Sequence, residues 1–446
     1  MFTPAECARI LGGRLLRERK ARPARVIHDS RLVEPGDLFV ALKGARTDGH
    51  AFLEKAFTRG ASGAIVSRLN AIPNNAYNLI VVDDTLTALQ RLAAAWREEI
   101  TGTIVGITGT CGKTTTKALL GHLLAGEHEV FVAPHSYNTA IGIPIALLSM
   151  PKSAKFGIFE LGASAPGEIL PLARLLQPNI AIVTMVGQGH LAGFGSVEAV
   201  AREKWSLIAA LPEDGIAIVN LDSAPLAQRA SAWEGRIITV GTTEGDIQGR
   251  VASAFPGLLL ETDRLRLETR LLGEHNVGNI LTAVACALQL GISEATIEDR
   301  IRTFTPPPHR LNLVSAPFGW ILDDCYNANP LSVRAALKVL SGLNLPVERR
   351  MALLGDMLEL GPREADYHRE VVEEARLQGV DALFAFGPRM SQAFSFWEGA
   401  GAAEPEELSA LLATLKVEAG RLPTLVLIKG SRGMALERAV SALTRD

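Results

Sequence analysis

Thr103-Ile-Val-Gly-Ile-Thr-Gly-Thr-Cys-Gly-Lys-Thr-Thr-Thr-Lys117 decides how the rest of the chain is read. Its β-branched residues Ile104, Val105 and Ile107 predict a buried strand. The strand breaks into a loop of Gly109, Thr110, Cys111 and Gly112. Lys113 and Thr114 then open a helix with Leu119, Leu120, Leu123 and Leu124 on one face. Such a loop turns backbone N–H groups and a helix N-terminus toward one point, a setting that suits a polyphosphate. Lys113 adds a mobile cation for the terminal phosphates, and Thr114 a hydroxyl for Mg²⁺. The general Walker pattern would place its first glycine where Ile107 stands. An ordinary glycine turn with a capping threonine is the alternative; the order strand, Gly-x-x-Gly-Lys-Thr, helix favours the phosphate loop.

The chain around it has 446 residues, which suggests about three domains. With 48% hydrophobic and 21% charged residues it has the composition of a globular enzyme. A net charge of −3 gives no electrostatic case for nucleic acid or an anionic membrane. No apolar run is long enough to span a bilayer, and the start Met1-Phe-Thr-Pro-Ala-Glu lacks a signal-peptide pattern, so a cytoplasmic protein is expected. Cys7, Cys111, Cys286 and Cys325 show no CxxC spacing, which points to neither a zinc site nor a disulfide framework. Cys111 is read as a small loop residue, with oxidation sensitivity as the alternative.

Two boundaries follow from pattern. Near Glu98–Gly102 a helical run (Leu86, Leu89, Leu92, Ala93, Trp96) gives way to the strand before the phosphate loop. In Phe304-Thr-Pro-Pro-Pro-His-Arg310 three prolines forbid continued helix and stiffen a connection. Between these points Phe156–Leu161, Ile180–Val186 and Ile216–Leu221 read as strands separated by helices. Beyond them Trp320–Asp323, Met351–Gly355, Ala382–Phe386 and Leu425–Ile428 do the same. The fold class is therefore α/β, with parallel sheets covered by helices in both regions.

In open parallel sheets, ligands sit beyond the carboxyl ends of strands. Glu160 ends one run and His190 follows another, so both are expected to face the crevice of Lys113 and could hold a nucleotide-bound Mg²⁺. The plainer alternatives are a helix-capping anion for Glu160 and a loop histidine for His190. Lys204 falls inside the apolar stripe of the predicted helix Val197–Leu211. It could snorkel to the surface, form a buried ion pair, or be converted by CO₂ into a carbamate that helps hold a second Mg²⁺. Gly273-Glu-His-Asn276 opens an alanine-rich helix, where an exposed amide could meet an adenine or ribose, or only cap the helix. Asp323-Asp-Cys-Tyr-Asn-Ala-Asn-Pro330 and Lys429-Gly-Ser-Arg-Gly433 are polar loops after strands. His28-Asp-Ser-Arg31 and Lys43-Gly-Ala-Arg-Thr-Asp-Gly-His50 suit a sugar or diphosphate. Any of these four could equally be a surface loop.

Taken in order, these motifs resemble the Mur ligases, ATP-dependent amide-forming enzymes of peptidoglycan synthesis. The likeness spans almost the whole chain. It also rests on Gly36-Asp-Leu-Phe-Val-Ala41, Tyr137-Asn138, Gly193-Phe-Gly195, Arg310 and Gly355-Asp-Met-Leu-Glu-Leu-Gly361. The resemblance implies three domains: residues 1–99 binding a UDP-sugar, 100–308 binding ATP on a P-loop parallel sheet, and 309–446, Rossmann-like, binding the incoming dipeptide. It implies ATP and Mg²⁺ as cofactors, with UDP-N-acetylmuramoyl-tripeptide and D-alanyl-D-alanine as partners, joined through an acyl phosphate by a monomer. Gly109–Thr115 would cradle the phosphates, with Lys113 and Thr114 on phosphate and metal. Asn138, Glu160 and His190 would surround the metals. Lys204 matches a position often carbamylated. Arg310 would lie near the γ-phosphate, and Asn276, Asp324 and Asn327 near adenosine. Asp29, Ser30, Arg31, Lys43, Asp48 and His50 would serve the UDP-sugar, and Lys429 and Ser431 the dipeptide. The chain departs from the family pattern at Thr139, where a second Asn is frequent, at His309, where Gly is common, and at Leu161, where Met is usual. Addition of diaminopimelate or lysine to a dipeptide precursor is the nearest alternative. A P-loop protein using ATP as a switch is the alternative of another class.

Overall fold

The computed structural model describes residues 1–44, 47–69, 72–126, 128–134, 137–254 and 257–445. Ala45 and Arg46 of the Lys43–His50 run lie outside the described residues. Successive stretches of chain build three larger sheets and one small one.

The first sheet orders its strands Arg14–Leu16, Leu79–Val81, Gly63–Val66, Leu38–Val40 and Val26–Ile27, parallel except for the first. The helix Thr85–Glu98, capped by the Asp84 carboxylate accepting from the Thr87 N–H at 2.7 Å, then leads to the strand Thr103–Thr108. Arg97 clasps this junction, donating to the carbonyls of Leu176 (2.8 Å), Ile100 (2.9 Å) and Gln177 (3.0 Å).

The second sheet has seven parallel strands, in the order Ile247–Gln248, Ile237–Gly241, Ile216–Asn220, Ile180–Val183, Thr103–Thr108, Phe156–Glu160, Val130–Val132. Ile and Val fill its buried strands because branched side chains pack well on a pleated face covered on both sides. One cover consists of the helices Lys113–Leu124 and Val277–Gln289, whose Leu119, Leu120, Leu123, Ile280, Leu281 and Val284 share a core with strand residues Val105 and Ile107. The helices Ile169–Leu176 and Val197–Ala209 lie in the other cluster. Thr103–Thr108 is flanked by the strand that ends at Glu160 and the one that leads to His190, so the chain reverses its winding at the phosphate loop.

A three-stranded antiparallel sheet (Arg250–Ser253, Leu259–Glu261, Arg266–Glu268) follows, which the sequence reading does not anticipate. After the helix Glu294–Thr303 and the three prolines comes a six-stranded sheet. Its order is Asn312–Ala316, Gly319–Asp323, Thr424–Lys429, Arg349–Gly355, Ala382–Phe386, Ala400–Glu404, parallel except for the first hairpin.

One expected strand is shorter than its apolar run. Ile180–Val186 stops at Val183, because Thr184 Oγ1 turns to donate to the Cys111 carbonyl (2.5 Å) while the Met185 carbonyl accepts from the Thr110 N–H (2.7 Å). Thr184 and Met185 thus brace the phosphate loop, while the Val186 N–H turns to Ser223 Oγ at 3.2 Å.

Candidate active site

Ile107 is fully buried strand, so the phosphate loop is confined to Gly109–Gly112. Both glycines are required by geometry. Gly109 has φ +150°, and a Cβ there would fall 2.2 Å from Thr184 Oγ1; Gly112 has φ +87°, and its Cβ would fall 2.0 Å from Asn279 Oδ1. Lys113 folds back to donate to the Gly109 carbonyl at 2.7 Å.

Glu160 is the hub of the cavity floor. Its carboxylate accepts from Thr114 Oγ1 (3.0 Å) and Asn138 Nδ2 (3.0 Å), with Lys117 Nζ at 3.7 Å. Burial alone would raise its pKa. Lys113, Lys117 and the two hydrogen bonds outweigh that and hold the carboxyl below its ordinary value, so it is a carboxylate at neutral pH. Lys117 is itself buried and donates to the Ala133 carbonyl at 2.9 Å.

His190 adopts a left-handed backbone (φ +54°) and turns Nδ1 to the carboxylate of Glu359, another left-handed residue (φ +64°). Desolvation lowers the imidazole pKa despite Glu359. The ring is neutral near pH 7, and a proton on Nδ1 leaves the Nε2 lone pair for a ligand. Lys204 is 2% exposed, which excludes snorkelling. Among the described residues its ammonium meets only the Ala163 carbonyl (3.4 Å) and the Phe194 ring (5.5 Å), and desolvation, reinforced by Lys113, lowers its pKa to about 7.

From beyond the three prolines, Arg310 reaches Thr114 Oγ1 with Nη2 at 3.2 Å and lies 4.1 Å over the Tyr326 ring. The left-handed residues His309 (φ +61°) and Leu311 (φ +54°) on either side aim it. Asp324 is paired with buried Lys429, whose Nζ also donates to the Asn327 carbonyl at 3.0 Å. Asn276 donates to the Leu272 carbonyl and accepts from Asn279, both at 2.8 Å.

A cavity of about 710 Å³ joins these groups. Its wall includes Thr110–Thr115, Asn138, Glu160, His190, Asn276, Arg310, Asp324, Asn327 and Lys429. Lys204 and Ser431 are not part of the wall. Ser431 Oγ instead accepts from the Leu358 N–H at 2.9 Å and donates to the Ala328 carbonyl at 3.3 Å, locking two loops together.

The amino-terminal candidates also lie outside that wall. Asp29 and Arg31 pair with each other at 2.7 Å, which takes the Asp29 carboxyl down to about 2. Asp48 accepts from the His50 N–H (3.0 Å) and Nδ1 (2.7 Å), while His50 Nε2 accepts from the Ser67 N–H (2.9 Å). Both ring nitrogens of His50 are thus engaged by its own fold. Ser30 is buried and Lys43 exposed. His28 has a buried Nδ1 with no hydrogen-bond partner among the described residues.

The donors fit a nucleoside triphosphate with a hard divalent cation. A glycine-bounded loop opens a helix, buried Arg310 Nε has no hydrogen-bond partner among the described residues, and Thr114, Glu160 and His190 present hydroxyl, carboxylate and imidazole on one wall. Sequence reasoning missed Lys117, Tyr326, Asn279, Asn329 and Glu359 as parts of this arrangement. Lys117 carried a helical signal, four residues beyond Lys113 on the same face, whereas Tyr326, Asn329 and Glu359 lie in runs already singled out but without a role of their own.

Three family descriptions match the chain: "Mur ligase family, catalytic domain" at residues 24–97, "Mur ligase middle domain" at 107–287, and "Mur ligase, glutamate ligase domain" at 309–432. The UDP-N-acetylmuramoyl-tripeptide–D-alanyl-D-alanine ligase of Bacillus subtilis is 34% identical over 94% of this chain and 93% of its own length. The Escherichia coli ligase of the same name is 33% identical over 94% of each. Among solved structures, MurF from Acinetobacter baumannii superposes with a TM-score of 0.89 at 30% identity, over 100% of this chain and 99% of that one. MurF ligase from Thermotoga maritima in complex with ADP gives 0.82 at 27%, over 94% and 97%.

Proposed function

The chain belongs to the Mur ligase family, and from that premise we propose that it joins D-alanyl-D-alanine to UDP-N-acetylmuramoyl-tripeptide at the expense of ATP. The observation that carries the reading is the contact of Arg310 with Thr114. It brings a guanidinium from the third sheet region to the phosphate loop of the second, with Nε uncommitted. A carboxylate is a poor electrophile. Phosphorylation of the tripeptide's terminal carboxylate by ATP gives an acyl phosphate. The dipeptide amine then attacks its carbonyl carbon, and inorganic phosphate leaves from the tetrahedral intermediate. Charge on the transferring phosphoryl group is met by Lys113, the loop N–H groups and Arg310. Mg²⁺, held by Thr114, Glu160 and His190 with Asn138 orienting the carboxylate, would neutralise phosphate charge. The buried amine of Lys204, largely neutral above its lowered pKa, is suited to carbamate formation.

The same reading divides the chain into residues 1–99 for the UDP-sugar, 100–308 for ATP and 309–446 for the dipeptide. The unpartnered His28 Nδ1 beside Asp29, Ser30 and Arg31 supports the first assignment. Asn276, Asp324 and Asn327 serve adenosine. Lys429, paired with Asp324, and Ser431, which locks its loop, are assigned to the incoming dipeptide. The enzyme is read as a cytoplasmic monomer; among the described residues no helix is long and apolar enough to cross a membrane.

Phosphate release measured with each substrate omitted tests this. Release is expected only when UDP-muramyl tripeptide and D-alanyl-D-alanine are both present, with the amide product seen by mass spectrometry. Turnover with lysine or diaminopimelate and a dipeptide precursor would transfer the chain to the neighbouring ligase. ATP hydrolysis with no new amide would favour a switch.

A further inference from the structure

Behind the nucleotide cavity, at the joint where the three-proline segment enters the last sheet, three side chains of different chemistry converge. His309 Nδ1 lies 2.8 Å from Asp323 Oδ2 and 3.5 Å from Cys325 Sγ, and the three donor atoms all fall within 4.8 Å of one another. We propose that His309, Asp323 and Cys325 form a binding site for one borderline-soft divalent cation of the zinc class. This site is separate from the Mg²⁺–nucleotide site and goes beyond the ligase reading.

The geometry and the donors agree. A tetrahedral ion with bonds of about 2.0–2.3 Å to N, O and S holds its ligand atoms roughly 3.3–3.8 Å apart, so the His309–Cys325 pair already has that spacing and the His309–Asp323 pair needs to open by about half an ångström. A nitrogen, a carboxylate oxygen and a sulfur suit Zn²⁺ or Co²⁺ and not Mg²⁺, which requires an oxygen shell. Cys325 is 1% and Asp323 4% exposed, while His309 is partly open, which leaves one side for water as the fourth ligand. The second carboxylate oxygen of Asp323 already accepts from the Cys325 N–H at 3.3 Å, and that orients Oδ2 toward the cluster. His309 holds its place in a left-handed backbone that a non-glycine residue adopts at a cost, with its carbonyl accepting from the Tyr326 N–H at 3.3 Å. A search for paired cysteines overlooks this set because a hairpin, not a local spacing, assembles it.

Binding is proton-balanced: the Cys325 thiol loses one proton to solvent as its sulfur joins the metal. The site adjoins Arg310 and Asp324 along the chain, both on the cavity wall.

Titration of chelator-treated full-length protein with Co²⁺, without any peptide substrate, tests the site independently of the ligase reading. One equivalent is expected to raise a thiolate-to-cobalt charge-transfer band in the near ultraviolet, which Zn²⁺ then bleaches. Cys325→Ser should abolish the band. His309→Gly, which suits the left-handed backbone and so folds, should weaken Co²⁺ affinity at least tenfold. Cys111→Ser should keep the band. No band in the unaltered protein, a band that survives Cys325→Ser, or one lost with Cys111→Ser would each overturn the proposal.

Discussion

Replacing Lys204 by methionine should make the protein more stable and flatten one part of its pH dependence. Lys204 is buried and, among the described residues, makes one long hydrogen bond, to a carbonyl, and its pKa falls from 10.5 to about 7 because burial penalises the ammonium. In the unfolded chain the amine keeps its ordinary value. Between about pH 7 and pH 10.5 the unfolded state therefore binds more protons than the folded one, and stability rises with pH across that window. Below pH 7 the penalty is fully present and constant. Worked through linkage, the penalty is about 4 kcal/mol at pH 7 and under about 1 kcal/mol at pH 10. Methionine has similar length and no charge, so Lys204→Met removes a term of that order at pH 7 and almost none at pH 10. Urea unfolding in CO₂-free buffer from pH 6 to 10 reads it, because other titrating groups cancel in the difference between variant and parent. Trp205, next in the chain, contributes to the fluorescence signal. A difference that stays flat between pH 7 and pH 10, or a variant less stable than its parent at pH 7, would refute the reasoning. Bicarbonate adds a second arm. CO₂ consumes the neutral amine and releases a proton, so it should stabilise the parent and leave the variant unchanged.

The cavity supports further expectations. Glu160→Gln takes the charge partner from buried Lys117 and should cost about 3 kcal/mol, measured by denaturation, and should abolish Mg²⁺-dependent phosphate release. Gly112→Ala places a Cβ 2.0 Å from Asn279 Oδ1 in a left-handed backbone; calorimetry with ATP should show at least tenfold weaker binding, with roughly 1–3 kcal/mol of lost stability. Arg310→Ala should lower the ligation rate about a thousandfold in single-turnover assays while ATP affinity changes less than tenfold. Chelation of divalent cations should stop amide formation, with recovery on adding Mg²⁺; undiminished turnover in excess EDTA would contradict the role given to Glu160 and His190.

What the sequence made legible was whatever lies close together along the chain. The strand, the Gly109–Gly112 loop and the Lys113 helix are contiguous, so periodicity and loop chemistry sufficed. Glu160 and His190 were reachable because strand ends in a parallel sheet converge. The limits are instructive at Asp48 and His50. Polar residues in a loop suggested a ligand, and the same residues serve the fold, which engages both ring nitrogens of His50 and caps a turn with Asp48. A motif of polar residues reports that the positions are constrained, not whether the constraint is internal or external. Lys204 is the converse case: an apolar stripe with one lysine signalled something unusual, and only its packing excluded the surface.

The part of the site least visible in sequence is the part that spans the chain's regions. Arg310 contacts Thr114 across 196 residues, and nothing in a local window encodes that meeting. The structure achieves it by strain. His309 and Leu311 both take left-handed backbones that side chains other than glycine avoid, and the Tyr326 ring supports the guanidinium from below. Two unfavourable residues flanking one functional residue need compensation, and the His309 contacts to Asp323 and Cys325 supply part of it. The position of the arginine over the phosphate loop therefore depends on a cluster of side chains that never touches the nucleotide cavity. A change at His309, Asp323 or Cys325 should act on phosphoryl transfer through Arg310's orientation, lowering turnover more than ATP affinity. Equal losses in both would mean that the joint, and not the arginine, had been disturbed.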